Sequence, residues 1–437
     1  MRILHTSDWH LGRTFHGRPL EDAHAVFMDH LVELVHSEKI DAVLVSGDVY
    51  DRAVPPTDSV RLLDDTLRRL TECTRVVLTP GNHDSARRLG FASGLLREGL
   101  VIQARTDSVG RAVALPEADG GPGALVYALP YLDPDTARAG LPRLLAEYLG
   151  EHGEEPGQAP TVARSHEAVV SGALRLIAKD LAARRTGASV RVPAVVMAHA
   201  FVSPAGAGEA VQTVQTTESE RDIRVGGVDL VPSQVFASLG GSPLAGQAGA
   251  LDYVALGHLH RPQVVNLPEH VRGQAAADGL PLPVLRYSGS PLPFSFSEAP
   301  FTKSSVIIEV GSDGVSSTEL IDTPVPHRIE TVRGTMQELL SPHYDALTDA
   351  WLRVELTGEL PVSAVARLKQ RFPQMLAFSR VAPSERPREH AVITRQADPV
   401  EVGGRFLAAV GGREPSEAET SLLREAYEAV RAAERSQ

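Results

Sequence analysis

Short apolar runs, each cut off by a polar turn, set the rhythm of this chain. Met1–Thr6, Ala42–Val45 and Arg75–Thr79 are apolar blocks of strand length, and the last stops at Pro80-Gly81. Runs this short, bounded by Gly or Pro, predict buried strands. Between them the period changes. From Glu21 to Glu38 the apolar residues Val26, Phe27, Leu31, Leu34 and Val35 recur at helical spacing. Val60, Leu63, Leu67 and Leu70 do the same after a loop at Pro55-Pro56, with Thr57 or Asp58 as the expected N-cap. The order is β-α-β-α-β, with an acidic or imidazole group at the end of every strand.

Beyond Ser85 the signal thins. Leu125–Leu129 predicts a strand, and Asp135–Leu149 and Ser165–Ala183 predict helices separated by a Gly/Pro/Glu-rich loop at 151–160. Val195–Ala198 reads as a buried strand ending at His199, and Tyr253–Leu256 as another, running into Gly257-His258-Leu259-His260. The stretch 203–227 lacks periodicity and predicts a long loop, of a kind often functional. Leu285–Tyr287 breaks into the turn Ser288-Gly289-Ser290-Pro291, and Ser304–Val310 and Ser317–Ile321, joined at Asp313-Gly314, predict a hairpin.

Past Pro324-Val325-Pro326 the pattern becomes that of a small α+β unit. Ile329–Val332 and Leu352–Leu356 read as strands, Met336–Leu340 and Ser363–Phe372 as helices. Two helical pieces close the chain. One starts at Asp398-Pro399 and carries Phe406, Leu407 and Val410; the other opens with the capping box Ser416-x-x-Glu419 and carries Leu423, Tyr427 and Val430. Such an end helix packs on its own domain or docks on a partner. The expected division is a large domain over 1–323, a small α+β domain over 324–396 and a helical segment over 397–437.

Composition narrows the function classes. A chain of 437 residues has room for two or three domains, and 43% hydrophobic with 22% charged residues is ordinary for a soluble protein. No apolar run approaches the roughly 18 residues that span a bilayer. The chain enters its first strand without a basic-then-apolar leader, so no membrane or export destination is expected. The single cysteine, Cys73, excludes an internal disulfide and a thiolate-held zinc, and suits a reducing cytosol. The net charge of −12 has the wrong sign for bulk attraction to nucleic acid. Bound metals and local basic patches can reverse that field. One such patch lies between Ala364 and Gln396, where Arg367, Lys369, Arg371, Arg380, Arg386, Arg388 and Arg395 face only Glu385 and Glu389, a local net of +5. A solvated face is the default reading of this patch, and a partner contact is the alternative.

The candidate chemistry sits at the strand ends: Asp8, His10, Asp48, Asn82, His83, His199, His258 and His260. Any one of these histidines alone reads as a satisfied polar group. Eight such groups in five clusters, each terminating an apolar strand, point to convergence at one rim of a sheet. Imidazoles, carboxylates and an amide oxygen suit Mn, Fe or Zn. Two such ions roughly 3.5–4 Å apart act as a clamp for phosphoryl chemistry, drawing a nucleophile from water at neutral pH and stabilising charge on phosphorus.

The series Asp8-x-His10, Gly47-Asp48-x-x-Asp51, Gly81-Asn82-His83-Asp84, His199 and Gly257-His258-x-His260 resembles the calcineurin-like metallophosphoesterases. The stretches HTSDWHLG, SGDVYD, LTPGNHDS, LGHLH and RYSGSPLPFSF are similar to the bacterial branch of the double-strand-break repair nucleases within that family. The resemblance implies an α/β fold: a two-sheet β-sandwich flanked by helices, a small α+β capping domain and C-terminal helices that bind an ATPase partner.

The resemblance further implies that Asp8, His10, Asp48 and His260 hold one manganese ion, and that Asp48, as the bridge, Asn82, His199 and His258 hold the other. It gives His83 a catalytic role without a metal bond, protonating the leaving oxygen or stabilising the phosphorane, to which an imidazole is suited. Asp84 orients His83 or caps the next turn. His5, His16, His24, His30 and His36 have no motif support. The implied activity is double-strand 3'-5' exonuclease and single-strand or hairpin endonuclease cleavage of DNA. It is exerted by a homodimer joined to the ATPase in a heterotetramer, with ATP bound only by the partner, in the cytoplasm and on the nucleoid. The same pair of metals also serves phosphomonoesterases and protein phosphatases. Asp51-Arg52 favours that reading, whereas GNHD in place of GNHE and the long extension after Pro326 speak against it. A third reading is a non-catalytic DNA-end scaffold, opposed by the full set of ligand types.

Overall fold

The computed structural model describes residues 1–96, 99–116, 123–151, 161–186, 188, 190–204, 216–218, 220, 230–381, 400, 402–404, 408 and 415–434. It divides into two units, Met1–Arg380 and Val381–Gln437.

Two six-stranded sheets form the larger unit's main body. The first is built from β1 (Arg2–Thr6), β2 (Ala42–Ser46), β3 (Arg75–Thr79) and β4 (Leu100–Ile102), all parallel. The second uses β5 (Val113–Leu115), β6 (Ala124–Ala128), β7 (Ala194–His199), β8 (Tyr253–Gly257), β9 (Gln263–Val265) and β10 (Val284–Tyr287). Its central strands β6, β7, β8 and β10 are parallel and its two edges antiparallel. A hairpin, β11 (Ser304–Gly311) and β12 (Gly314–Asp322), returns antiparallel along β1 and completes the first sheet in the order β12-β11-β1-β2-β3-β4.

The parallel strands explain the continuous apolar runs. Ile3, Leu44, Val77, Val306 and Ile308 of the first sheet pack against Val126, Val195, Met197, Tyr253 and Ala255 of the second. The outer faces are covered by helices: α1 (Glu21–Ser37) and α2 (Thr57–Thr71) on the first sheet, α3 (Pro134–Glu151) and α4 (His166–Arg185) on the second. A sheet buried on both faces has no polar side to alternate with, so its strands read as unbroken hydrophobic blocks. The two-sheet sandwich flanked by helices matches the expectation. One detail differs. The N-cap of α2 is Pro56, with no side-chain cap, and Thr57 already lies inside the helix. The proline's fixed φ of −60° leads the chain directly into the first turn.

A third sheet follows: β13 (Ile329–Gly334), β14 (Trp351–Thr357) and β15 (Met375–Val381). It has its own core of Val332, Leu352, Val354, Leu356, Leu368 and Phe372. The strand β15 escapes the sequence reading because most of its side chains are only half-buried and show no clean alternation. Phe15, Phe294, Phe296, Ile329 and Trp351 join this sheet to the sandwich, and Arg353 forks onto Glu218 at 3.0 and 2.8 Å.

The final helix, α5 (Glu417–Glu434), opens with the predicted capping box: the Ser416 N–H donates to Glu419 Oε2 at 2.7 Å, and the Glu419 N–H to Ser416 Oγ at 3.3 Å. The loop 151–160, most of 203–227, Arg386, Arg388, Arg395 and the residues Asp398, Pro399, Phe406, Leu407 and Val410 fall largely or wholly outside the described residues. No helix among the described residues is long and apolar enough to cross a membrane.

Candidate metal centre

Every residue singled out at a strand end lies at the carboxyl end of a parallel strand, where open α/β sheets present their ligand sites. Asp8 and His10 follow β1, Asp48 follows β2, Asn82 and His83 follow β3, His199 ends β7, and His258 and His260 follow β8. The backbone there is strained. Asp8 (φ 54°), His10 (φ 45°), Asp48 (φ 50°) and His258 (φ 105°) all occupy positive φ, a region that side-chain-bearing residues enter at a cost of about 1–3 kcal/mol each. Four such residues at one rim mark a place where function, not folding, sets the geometry.

The side chains converge on Asp48. His199 Nε2 lies 3.3 Å and His10 Nε2 3.5 Å from Asp48 Oδ2, while the His83 N–H donates to Oδ1 at 2.9 Å. On one side, His10 Nε2 and His260 Nε2 are 3.2 Å apart, and Asp8 presents a carboxylate oxygen to the same volume. On the other, Asn82 Oδ1 sits 2.9 Å from His199 Nε2 and 3.1 Å from His258 Nδ1. Asp8 also ties the sheets together, accepting the His258 N–H at 2.9 Å. His83 stands at the open edge. Its Nδ1 meets the Asp51 carbonyl at 2.9 Å and its ring crosses that of His10 at 4.8 Å.

Asp84 is engaged by the backbone of two turns. Its carboxylate accepts the N–H groups of Val49, Tyr50 and Gly81, each at 2.9 Å, and so braces the turn carrying Asp48 against the one carrying Asn82. The contact on the His83 ring comes from Asp51, whose carboxylate also meets Arg13 at 3.0 Å.

Three glycines of the motifs are explained by space. A Cβ on Gly81 would sit 2.1 Å from Asp48 Oδ1, one on Gly47 2.3 Å from His199 Nδ1, and one on Gly257 1.9 Å from the Ser46 carbonyl. Any side chain there would push a site residue out of place.

Electrostatics follow from burying so many ionisable groups together. Burial pushes His10 down to about 3 and His258 well below the usual imidazole value. Burial would depress His199 too, but the neighbouring Asp48 carboxylate and its hydrogen bond lift it to about 9. Asp48 is held well below the carboxylate range: burial opposes this, and His199, His10 and His83 outweigh it. Asp8 moves the other way, raised first by burial.

The donor set fits divalent cations. Three groups each bring one ligand atom per residue within 4.8 Å: Asp8, His10 and His260; Asp8, Asp48 and His199; and His10, Asp48 and His83. They share Asp8, His10 and Asp48, so the clusters overlap rather than lying apart. Buried nitrogen lone pairs and carboxylates that face one another at 3.2–3.5 Å are satisfied by positive charge between them. The oxygen and imidazole donors suit Mn, Fe or Zn.

The sequence reading missed the groups that hold these ligands. Glu220 accepts the His260 N–H at 2.5 Å, Glu298 faces its ring, Lys303 caps its carbonyl at 2.9 Å, and Ser7 bonds both Asp8 and Ser288. Glu298 lies inside the Phe- and Pro-rich stretch PLPFSFSEAPF, with Lys303 two residues beyond its end, and a single charge set in such a run was the available signal.

A two-sheet sandwich with this rim of Asp, Asn and His defines a class. The model of the calcineurin-like phosphoesterases matches residues 1–262, well over half of the chain, and the protein belongs to that family. Within it the likeness is to the SbcD chains of the nuclease SbcCD. That of Escherichia coli K12 is 29% identical, over 91% of this chain and 89% of its own. Those of Rhodobacter capsulatus and Bacillus subtilis are each 31% identical, over 84% and 85% of this chain and 82% and 84% of theirs. Covering 84–91% of the chain, these matches span more residues than the 322 that lead up to the end of the sandwich and so take in part of the chain after it.

Proposed function

We propose that this chain is a metal-dependent DNA phosphodiesterase, the nuclease subunit of an SbcCD-type complex. The observation that supports it most directly is the convergence of seven donors, Asp48 and six others, from five strand ends. Asp8, His10, Asp48 and His260 would hold one ion; Asp48, Asn82, His199 and His258 the other, with manganese as the proposed metal and iron or zinc as substitutes. When bound, the ions supply positive charge to a scissile phosphate and make water a competent nucleophile at neutral pH.

The remaining work falls to the chain's own groups. With Nδ1 on the Asp51 carbonyl, His83 keeps Nε2 at the open edge, where it can deliver a proton to the leaving oxygen. Asp84 holds the two ligand-bearing turns in register. The buried walls exclude bulk water, which strengthens each of these interactions.

The finer reading extends the SbcD likeness. The activity is proposed as double-strand 3'-5' exonuclease and single-strand or hairpin endonuclease, in a homodimer bound to an SbcC-type ATPase in the cytoplasm and on the nucleoid. Residues 1–323 form the nuclease domain, 324–396 a capping domain and 397–437 the ATPase-binding segment. The acidic net charge of −12 then leaves much of the DNA surface to the partner. The isolated chain should bind DNA more weakly than the full complex at equal salt.

The test is manganese-dependent digestion of linear duplex and single-stranded DNA by wild type, His83→Ala and Asp48→Ala. Cleavage by wild type alone, with metal lost only in Asp48→Ala, supports the proposal. Intact DNA alongside hydrolysis of a phosphomonoester would replace it with a phosphatase.

A further inference from the structure

His260 is held from every side by charge. Its N–H donates to Glu220 and its carbonyl accepts from Lys303 Nζ at 2.9 Å. Its Nδ1 lies 3.7 Å from Glu298 Oε1, within ion-pair range, while Nε2 faces His10 Nε2 at 3.2 Å. Glu298 is itself fixed: Lys303 Nζ meets Oε2 at 2.6 Å and Ser295 Oγ donates to Oε1 at 2.9 Å. The lysine also donates to Ser290 Oγ at 2.9 Å. Glu298 is fully buried and Lys303 only 2% exposed.

A buried ion pair is poorly explained by stability. Removing two charges from water costs several kcal/mol per ion, and well-packed apolar replacements are often neutral or better. Placement offers the better reason. A carboxylate on one imidazole nitrogen keeps the proton there, fixes the ring plane and leaves the other nitrogen's lone pair for a cation. Lys303 adds what a lone glutamate would lack. It cancels the carboxylate's charge and, by gripping the His260 carbonyl as well, fixes ring and backbone against the same anchor.

We propose that Glu298, fixed by Lys303, is a positioning residue for His260, directing Nε2 into the volume shared with Asp8 and His10. The inference rests on the metal-site reading above. It concerns the affinity of one of the two ion sites, and His199 and His258, which meet Asn82, lie outside it.

The experiment is calorimetric titration of the full chain with Mn2+. The double variant Glu298→Met/Lys303→Met removes both charges while keeping side-chain length; Glu298→Gln/Lys303→Met restores an acceptor oxygen without a charge. The expected result is two sites in wild type. The Met/Met chain should lose about 10–100-fold in affinity at one site and keep the other, and Gln/Met should recover most of the loss. Unchanged binding at both sites in a folded Met/Met chain overturns the role of Glu298. A wild type that binds no Mn2+ overturns the metal reading together with it. An independent readout needs no variant at Glu298. In the Zn2+-loaded wild type labelled with 15N-histidine, with His260 assigned by its own substitution, the ring should carry its proton on Nδ1. A proton on Nε2 overturns the proposal even if the Met/Met chain cannot fold.

Discussion

The Asp84 carboxylate holds the turn that carries Asp48: its Oδ2 accepts the Val49 N–H at 2.9 Å and, from the same oxygen, the Gly81 N–H at 2.9 Å. With Tyr50 on Oδ1, one side chain ties the ends of β2 and β3 together. Asp84→Ala strips three backbone donors of their acceptor, at about 1–3 kcal/mol for each one left buried and unpaired. The variant should melt several degrees lower and bind Mn2+ more weakly, while Asp84→Asn, with one acceptor oxygen in place of two, should fall between. Thermal melts with and without metal check both parts. Unchanged metal affinity in a destabilised Asp84→Ala would limit Asp84 to folding.

His83 and Asp48 should separate cleanly. Loss of a positioned proton donor costs about 100- to 10,000-fold in rate. His83→Ala should lose cleavage on that scale and still hold its ions. Asp48→Ala should lose both. Metal content after gel filtration, read beside turnover, distinguishes the two. If His83→Ala also loses an ion, the ring serves as a ligand, an option its 4.8 Å grouping with His10 and Asp48 leaves open.

Metal affinity should rise with pH across the neutral range. In the metal-free chain burial disfavours the His199 cation, but the Asp48 carboxylate overrides it and holds the imidazole up to about 9. A cation must displace that proton, so Mn2+ binding should strengthen from about pH 6.5 to about 9 and level off above. The same shift acts on folding. A histidine raised in the folded state adds stability fully present below its unfolded value near 6.5, and this is lost as the pH passes through about 9. Titrations in buffers of different ionisation enthalpy would register the released proton. A pH-independent affinity between 7 and 9 would contradict the assignment.

Gly81→Ala should act like a ligand mutation. The added methyl would lie 2.1 Å from Asp48 Oδ1 and 2.3 Å from the Asp48 main-chain nitrogen, closer than atoms can approach. Because the second of these neighbours is backbone, it cannot swing away. Mn2+ affinity and cleavage should both fall sharply. At Gly140 nothing lies within 4 Å of an added Cβ, so Gly140→Ala should leave both unchanged and serves as the control.

Local sequence was enough for β1, β2, β3 and the hairpin β11-β12 of the first sheet and for the identity of the rim, though not for the three-residue edge strand β4. A run such as Val76-Val77-Leu78 stopped by Pro80-Gly81 has few ways to fold, and the groups after it must emerge at the strand's end. The same logic located Asp8, Asp48, His199 and His258. It worked because propensity, hydrophobic run length and turn chemistry all act within a few residues.

Only the tertiary structure decided which ends meet and what holds them. The Asp8 carboxylate bonds the His258 N–H across 250 positions of chain, and no local pattern encodes such a contact. Glu220, Glu298 and Lys303 stayed unread for the same reason: a charged side chain in a polar loop, as at Glu220, or in and beside a Phe-rich run, as at Glu298 and Lys303, looks solvated until the fold buries it against His260. The left-handed φ of Asp8, His10 and Asp48 was equally hidden, because these residues adopt it only where the surrounding packing holds them in place. Sequence determined the chemical inventory because residue type is local. Structure decided its use, because a ligand site is made by distances between segments that meet only when the two sheets pack.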